Sequence, residues 1–167
     1  GFGPEVFTAH RSNFAGLPQV LAANQISGVD MILADLGVSS MQIDDPTRGF
    51  SVKLDGPLDM RMNPQRGQPA SAFLQGIKPD KLVELLVENA DEPKAGELAA
   101  VLAGKHFATT MALAKTIREN HPGGSKAEAD LTVRRVFQAL RIAVNDEFSA
   151  LETFLRHLPA CLNPGGD

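Results

Sequence analysis

The chain has 167 residues (17.8 kDa), 43% of them hydrophobic, enough for one packed core. No stretch approaches the roughly 20 consecutive apolar residues that a membrane-spanning helix needs. Sixteen Lys and Arg against twenty Asp and Glu give a net charge of -4, which disfavours a small, strongly basic nucleic-acid binder, because neutralising phosphates takes clustered positive charge. The single cysteine, Cys161, excludes a disulfide framework and a cysteine-based zinc site, and fits a reducing compartment.

The first elements read as α/β. Val6-Phe7-Thr8-Ala9 is a short apolar run after a Gly/Pro turn, and predicts a strand. Leu17 to Asn24, with Pro18 in its first turn, predicts a short helix that Gly28 closes off. Val29-Asp30-Met31-Ile32-Leu33-Ala34 follows as a nearly continuous apolar run, the pattern of a strand buried on both faces in a parallel sheet. Strand, helix, strand in about 30 residues is the crossover unit of an open α/β fold.

From Asp35 to about Gln68 no period of 2 or 3.6 is sustained. A connection of that length in a compact domain is functional or disordered, and its Phe and Met content argues against disorder. Helices follow. One is capped by Asp80 and carries Leu82, Leu85 and Leu86; one runs near Glu97–Ala103 to Gly104; one is capped by Thr109 and stopped by His121-Pro122-Gly123-Gly124. A stripe of Phe137, Leu140, Val144, Phe148, Leu151, Leu155, Leu158 and Leu162 predicts two successive helices, divided at Asn145-Asp146-Glu147. The closing Pro164-Gly165-Gly166 reads as a turn that feeds another element, so the sequence is expected to be part of a longer one.

Asp35 stands at the carboxyl end of a predicted buried strand, where open α/β proteins bind ligands. An Asp there is either a turn cap or a site residue. The small polar groups that follow it, Gly37, Ser39, Ser40 and Gln42, favour a site. Asp44, Asp45, Asp55 and Asp59 lack the regular spacing of an oxygen-ligand metal site and are interrupted by Arg48, Lys53 and Arg61, so solvated or ion-paired carboxylates are expected and no metal. Arg48, Arg61 and Arg66 serve either as phosphate contacts or as partners of those aspartates. The four histidines have no ligand spacing, and neither a Walker-type loop nor a G-x-S-x-G elbow is present.

Three runs, Asp35-Leu36-Gly37-Val38-Ser39-Ser40-Met41-Gln42-Ile43-Asp44-Asp45, Arg48-Gly49-Phe50-Ser51 and Asp55-Gly56-Pro57-Leu58-Asp59-Met60-Arg61-Met62, closely resemble the signature of the MraW (RsmH) family. Phe137-Gln138-Ala139-Leu140-Arg141-Ile142 with Val144-Asn145-Asp146-Glu147 resembles a second family segment, so the likeness runs from about Phe7 to Gly166. The resemblance implies an S-adenosylmethionine-dependent methyltransferase acting on the exocyclic N4 of a cytidine in small-subunit ribosomal RNA, in the bacterial cytoplasm or an organelle. It implies an α/β fold: part of a Rossmann-like methyltransferase core with a mainly helical inserted domain. Residues 1–45 would be partial core with the site loop, 46–142 a helical substrate-recognition insert, and 143–167 a helix returning to the core.

By the same resemblance, Phe14, Asp35 and Gln42 are cofactor contacts. Asp35 and Ser39 are candidate catalytic acceptors for the N4 hydrogens, and Arg48, Arg61 and Arg66 candidate RNA contacts. The family's glycine-rich G-x-G-G-H-S motif and its closing S-F-H-S-L-E-D segment have no counterpart in the sequence. Its G-E-E is replaced near Asp91-Glu92-Pro93, and its His-Pro by Leu131-Thr132. An internal fragment with half a cofactor pocket is therefore expected, one that binds S-adenosylmethionine weakly or not at all; micromolar binding in calorimetry would contradict this. The alternatives are a methyltransferase for another RNA or small molecule, and a degenerate homologue that only binds RNA.

Overall fold

The structure is a computed structural model that describes residues 6–121 and 124–166. Eight α-helices are described: α1 (Leu17–Ala23), α2 (Ser40–Asp44), α3 (Ala70–Gly76), α4 (Pro79–Ala90), α5 (Ala95–Leu102), α6 (Thr110–Glu119), α7 (Lys126–Asn145) and α8 (Glu147–Cys161). Short 3-10 turns at Phe14–Gly16 and Pro46–Arg48 complete the regular structure. The chain forms two compact units, one of Gly1–Leu36 with Asp146–Asp167, the other of Gly37–Asn145.

The second unit is helical and holds the main core. Leu82 and Leu86 of α4, Leu98 and Leu102 of α5, Leu113 and Ile117 of α6, and Val136 and Leu140 of α7 are all fully buried. α4 packs on α5 and α7, and α6 on α7. Local chemistry sets the helix starts. Thr109 caps α6 as expected, its hydroxyl accepting from Ala112 N at 3.2 Å. Asp80 is not a cap: α4 starts at Pro79, which lacks an N–H and suits the first turn, and Asp80 lies one residue inside. Asp91 ends α4 at φ 48, a left-handed conformation that glycine adopts without steric cost. α7 begins at Lys126, well before the stripe that announced it at Phe137; the Pro122-Gly123 part of the expected helix stop lies outside the described residues.

In the first unit α1 and the 3-10 turn pack on α8. The expected strands at 6–9 and 29–34 do not form, so the α/β expectation is met only in part: no strand is present among the described residues. An extended run becomes a strand only when a neighbour answers its N–H and C=O groups. Val29 has such a neighbour, donating to Cys161 O and accepting from Asn163 N, both at 2.9 Å, a single parallel bridge. Beyond it no further backbone bridge to this run is present among the described residues; Asp30 Oδ1 accepts from Asn163 Nδ2 at 2.8 Å, and Met31 and Leu33 are 71% and 93% exposed.

α8 also departs from the stripe. Phe148 and Leu155, expected inside, are exposed, while Phe154 and Cys161 are buried. The left-handed Asp146 (φ 51) between α7 and α8 resets the helical phase, so a stripe counted through it loses register.

Candidate functional site

The first unit contains a pocket of about 310 Å³. Phe14, Leu17, Val20, Ile32 and Phe154 supply apolar wall, and His10, Ser12, Asn13 and Asp35 supply polar groups. Phe14 is held from behind and below. Asn13 caps the 3-10 turn through its side-chain oxygen, which accepts from Ala15 N at 2.9 Å, and the Phe14 ring meets Phe154 edge-to-face at 5.7 Å and 88°. Asp35 is exposed at the pocket wall. The volume lies near the lower end of small-ligand sites, roughly 300–1,000 Å³. A flat heteroaromatic ring bearing an amino donor suits this combination of apolar wall and carboxylate.

Ser39, the N-cap of α2, and Gln42 within α2 lie in the second unit and form a capping box. Ser39 Oγ accepts from Gln42 N at 3.3 Å, and Ser39 N donates to Gln42 Oε1 at 2.9 Å. Ser39 Oγ also donates to Gln42 Oε1 at 3.2 Å, so the Gln42 carbonyl is taken while its amide nitrogen makes no described bond.

The Arg48–Met62 region, which has no regular period, is tightly specified. Arg48 Nη2 donates to the carbonyls of Arg61 (2.8 Å) and Met62 (3.0 Å), and its guanidinium lies 5.7 Å from the Phe50 ring centre. Met60 N donates to Arg48 O at 3.0 Å. Asn145, the last residue of α7, donates from Nδ2 to Met60 O (2.7 Å) and Arg141 O (2.9 Å), and accepts at Oδ1 from Met62 N (2.7 Å). Met60 is fully buried at φ 63, a costly conformation for a bulky residue that persists only when its surroundings enforce it.

Two motif glycines are steric necessities. A Cβ on Gly49 (φ 71) would strike the Pro57 carbonyl oxygen and stand 2.7 Å from Asp59 N, and one on Gly56 would overlap the Pro46 carbonyl. Asp55-Gly56-Pro57 runs antiparallel to the residues before α6. Pro57 bridges Thr109, and Asp55 Oδ1 accepts from Met111 N at 3.1 Å.

The sequence matches the profile of the MraW methylase family over residues 2–167. This chain belongs to the MraW methylase family. It is 44% identical over 175 residues to the ribosomal RNA small subunit methyltransferase H 1 of Agathobacter rectalis, covering 99% of this chain and 50% of that protein. It is 43% identical to the methyltransferase H 2 of Alkaliphilus metalliredigens, covering 99% and 50%, and 42% identical to the methyltransferase H of Halorhodospira halophila, covering 93% and 49%. The chain spans about half the length of the curated relatives it matches.

Of the family-signature residues, Phe14 and Asp35 meet at one pocket, although 21 positions separate them. Arg48 and Arg61 meet at the buried turn. There Arg61 forms a two-point ion pair with Asp59, Nε–Oδ1 at 2.7 Å and Nη2–Oδ2 at 2.8 Å. Arg66 is exposed, and its side chain makes no described bond. Phe154 and Asn145 are the residues that sequence reading missed. Phe154 lies off the counted stripe, and Asn145 stood in sequence only as part of the division between two helices.

Asp59 has its carboxyl held below the ordinary value, first by the Arg61 hydrogen bond, with burial opposing. A carboxyl lowered on folding contributes stability in full above its unfolded pKa and loses it as pH falls through the folded one. The second unit is therefore expected to lose thermal stability below about pH 4, and Asp59→Asn to flatten that dependence. Thermal midpoints between about pH 6 and pH 3 measure this; parallel profiles for variant and parent would remove Asp59 from the account.

Proposed function

We propose that this chain is part of a small-subunit ribosomal RNA methyltransferase that moves a methyl group from S-adenosylmethionine to the exocyclic N4 of a cytidine. The observation that carries the reading is the pocket where Phe14 and Asp35 converge. The names of the relatives support ribosomal RNA as the substrate. The pocket residues fit the cofactor's nucleoside end: Phe14 offers an apolar face and Asp35 an acceptor for the adenine amino group. When bound, S-adenosylmethionine supplies an electrophilic methyl group on a sulfonium sulfur.

The N4 lone pair of cytosine is delocalised into the ring, so an acceptor for the N4 hydrogens localises it for in-line attack. Asp35 and Ser39 are the candidates; the Ser39 hydroxyl, already donating to Gln42 Oε1, keeps acceptor capacity. Alignment and exclusion of water supply most of the acceleration in such a displacement. Arg66, on the second unit, is the proposed RNA contact, and Arg48 and Arg61 hold the neighbouring turn.

The fold proposed for the whole protein is a Rossmann-like core to which the first unit contributes, with the helical residues inserted into it. The support is physical. Among the described residues the extended, apolar 29–34 run has backbone bonds to a neighbouring segment only at Val29, and it leaves Met31 and Leu33 exposed.

The test is methylation of small ribosomal subunits by the full-length protein, with mapping of the modified base. Methyl incorporation at a cytidine N4 is expected, and none, or incorporation elsewhere, overturns the reading. Within that assay, unchanged turnover of Ser39→Ala at saturating cofactor would remove Ser39 from the chemistry.

A further inference from the structure

The segment after the Met60 turn forms a closed loop. Ala70 N donates to Asp59 O at 2.8 Å and Ser71 N to Leu58 O at 3.0 Å, so the two ends of Asp59–Ala70 are tied together. Arg61 links the stem inward through Asp59 and reaches Gly67 O through Nη1 at 3.4 Å. The tip is shaped by Asn63, whose Oδ1 accepts from Gln65 N at 3.0 Å and whose carbonyl accepts from Arg66 N at 3.1 Å. Residues 63–68, Asn-Pro-Gln-Arg-Gly-Gln, are all exposed. No Asp or Glu occurs from Met60 to Pro79, a cationic and amide-rich stretch in a chain of net charge -4. Compact loops with tied ends and exposed polar tips are frequent carriers of function.

We propose that the Asp59–Ala70 loop is a pre-organised contact for single-stranded RNA. Arg66 takes a phosphate, Gln65 and Gln68 face base edges or ribose hydroxyls, and Asn145 is the positioning residue that holds the stem. The assignment rests on the ribosomal RNA reading. The chemistry matches single-stranded RNA, whose phosphates and unstacked base edges are recognised by guanidinium and amide groups. Asn145 is unambiguous in orientation: both nitrogen hydrogens go to carbonyls and its oxygen to an N–H, so a flipped amide would set its oxygen against two carbonyl oxygens. It fixes the strained Met60 turn from 83 residues beyond Met62, and Arg48 does the same from the other side. A rigid stem lets the tip bind without first being ordered, which lowers the entropic cost of binding.

The experiment uses the full-length protein with a single-stranded oligoribonucleotide and with deproteinised small-subunit RNA, at several salt concentrations. Arg66→Ala is expected to weaken binding several-fold and to reduce the salt slope by about 0.7, the signature of one lost phosphate contact on a single strand. Asn145→Ala is expected to reproduce that loss while S-adenosylmethionine affinity stays unchanged. The double variant is expected to bind no worse than Arg66→Ala, because Asn145 acts through the loop. Should Asn145→Ala fail to fold, the isosteric Asn145→Asp, which loses both donors, takes its place.

A full salt slope in Arg66→Ala, or additive losses in the double variant, overturns the proposal. Normal binding of naked RNA with impaired methylation of assembled subunits also overturns it, and places a ribosomal protein on the loop instead. A parent protein that methylates no ribosomal RNA overturns the functional reading; an active parent with RNA binding indifferent to Arg66 overturns only the loop.

Discussion

Phe14→Ala in the full-length protein is expected to weaken S-adenosylmethionine binding about tenfold to a hundredfold, with thermal stability changed far less. The ring forms part of an apolar wall and is half-buried against Phe154, so truncation removes a flat contact surface and leaves the pocket floor unsupported. Losing an aromatic contact plus the burial it provides amounts to roughly 1.5–3 kcal/mol, and each 1.4 kcal/mol is a factor of ten in affinity. Asp35→Ala is expected to cost a similar factor, through one hydrogen bond to a charged acceptor of about 1.5–3 kcal/mol. Titration calorimetry with S-adenosylmethionine, alongside thermal midpoints, separates binding from folding. Affinities within twofold of the parent for both variants would remove this pocket as the cofactor site.

The second large effect concerns stability and contrasts two apolar residues. Leu140→Ala is expected to destabilise the 167-residue chain by about 2–5 kcal/mol, because Leu140 is fully buried in the helical core and a cavity would remain. Met31→Ser is expected to be neutral in the same chain, since Met31 is 71% exposed. In the full-length protein the expectation for Met31→Ser changes to a loss of about 1–3 kcal/mol, as further strands cover it. Denaturant unfolding of both variants in both lengths measures this. A neutral Met31→Ser in the full-length protein would contradict the proposed sheet.

Much of the site was legible because its causes are local or stereochemical. Ser39 and Gln42 stood out as small polar groups after Asp35, and their three-residue spacing is what lets them close a capping box. The D-M-R-M run has no periodicity because its conformation is imposed from elsewhere: by Arg48, a dozen residues earlier, and by Asn145, more than eighty later. Arg48 stood in sequence as either a phosphate contact or a partner of the aspartates, because a guanidinium directed at two backbone carbonyls reads no differently in sequence from one directed at either. Phe154 was invisible for a related reason. A helical stripe predicts a buried face only while the helix is continuous, and Asp146 interrupts it.

The sequence by itself determined the helices α1 and α4 to α8 in outline, the signature motifs and the family, because helix periods, caps and motif spacing are properties of residues a few positions apart. Its net charge was also correct as a sum and uninformative as an average. The second unit carries fourteen Lys and Arg against thirteen Asp and Glu, and the first only two against seven. Only the tertiary structure decided where that charge resides, that Phe14, Asp35 and Phe154 share a pocket, and that Asn145 fastens the Met60 turn. It also decided that the apolar 29–34 run stays extended without becoming a strand. Pockets, clamps and sheets are made by partners far apart in the chain, and a strand exists only where another backbone lies beside it.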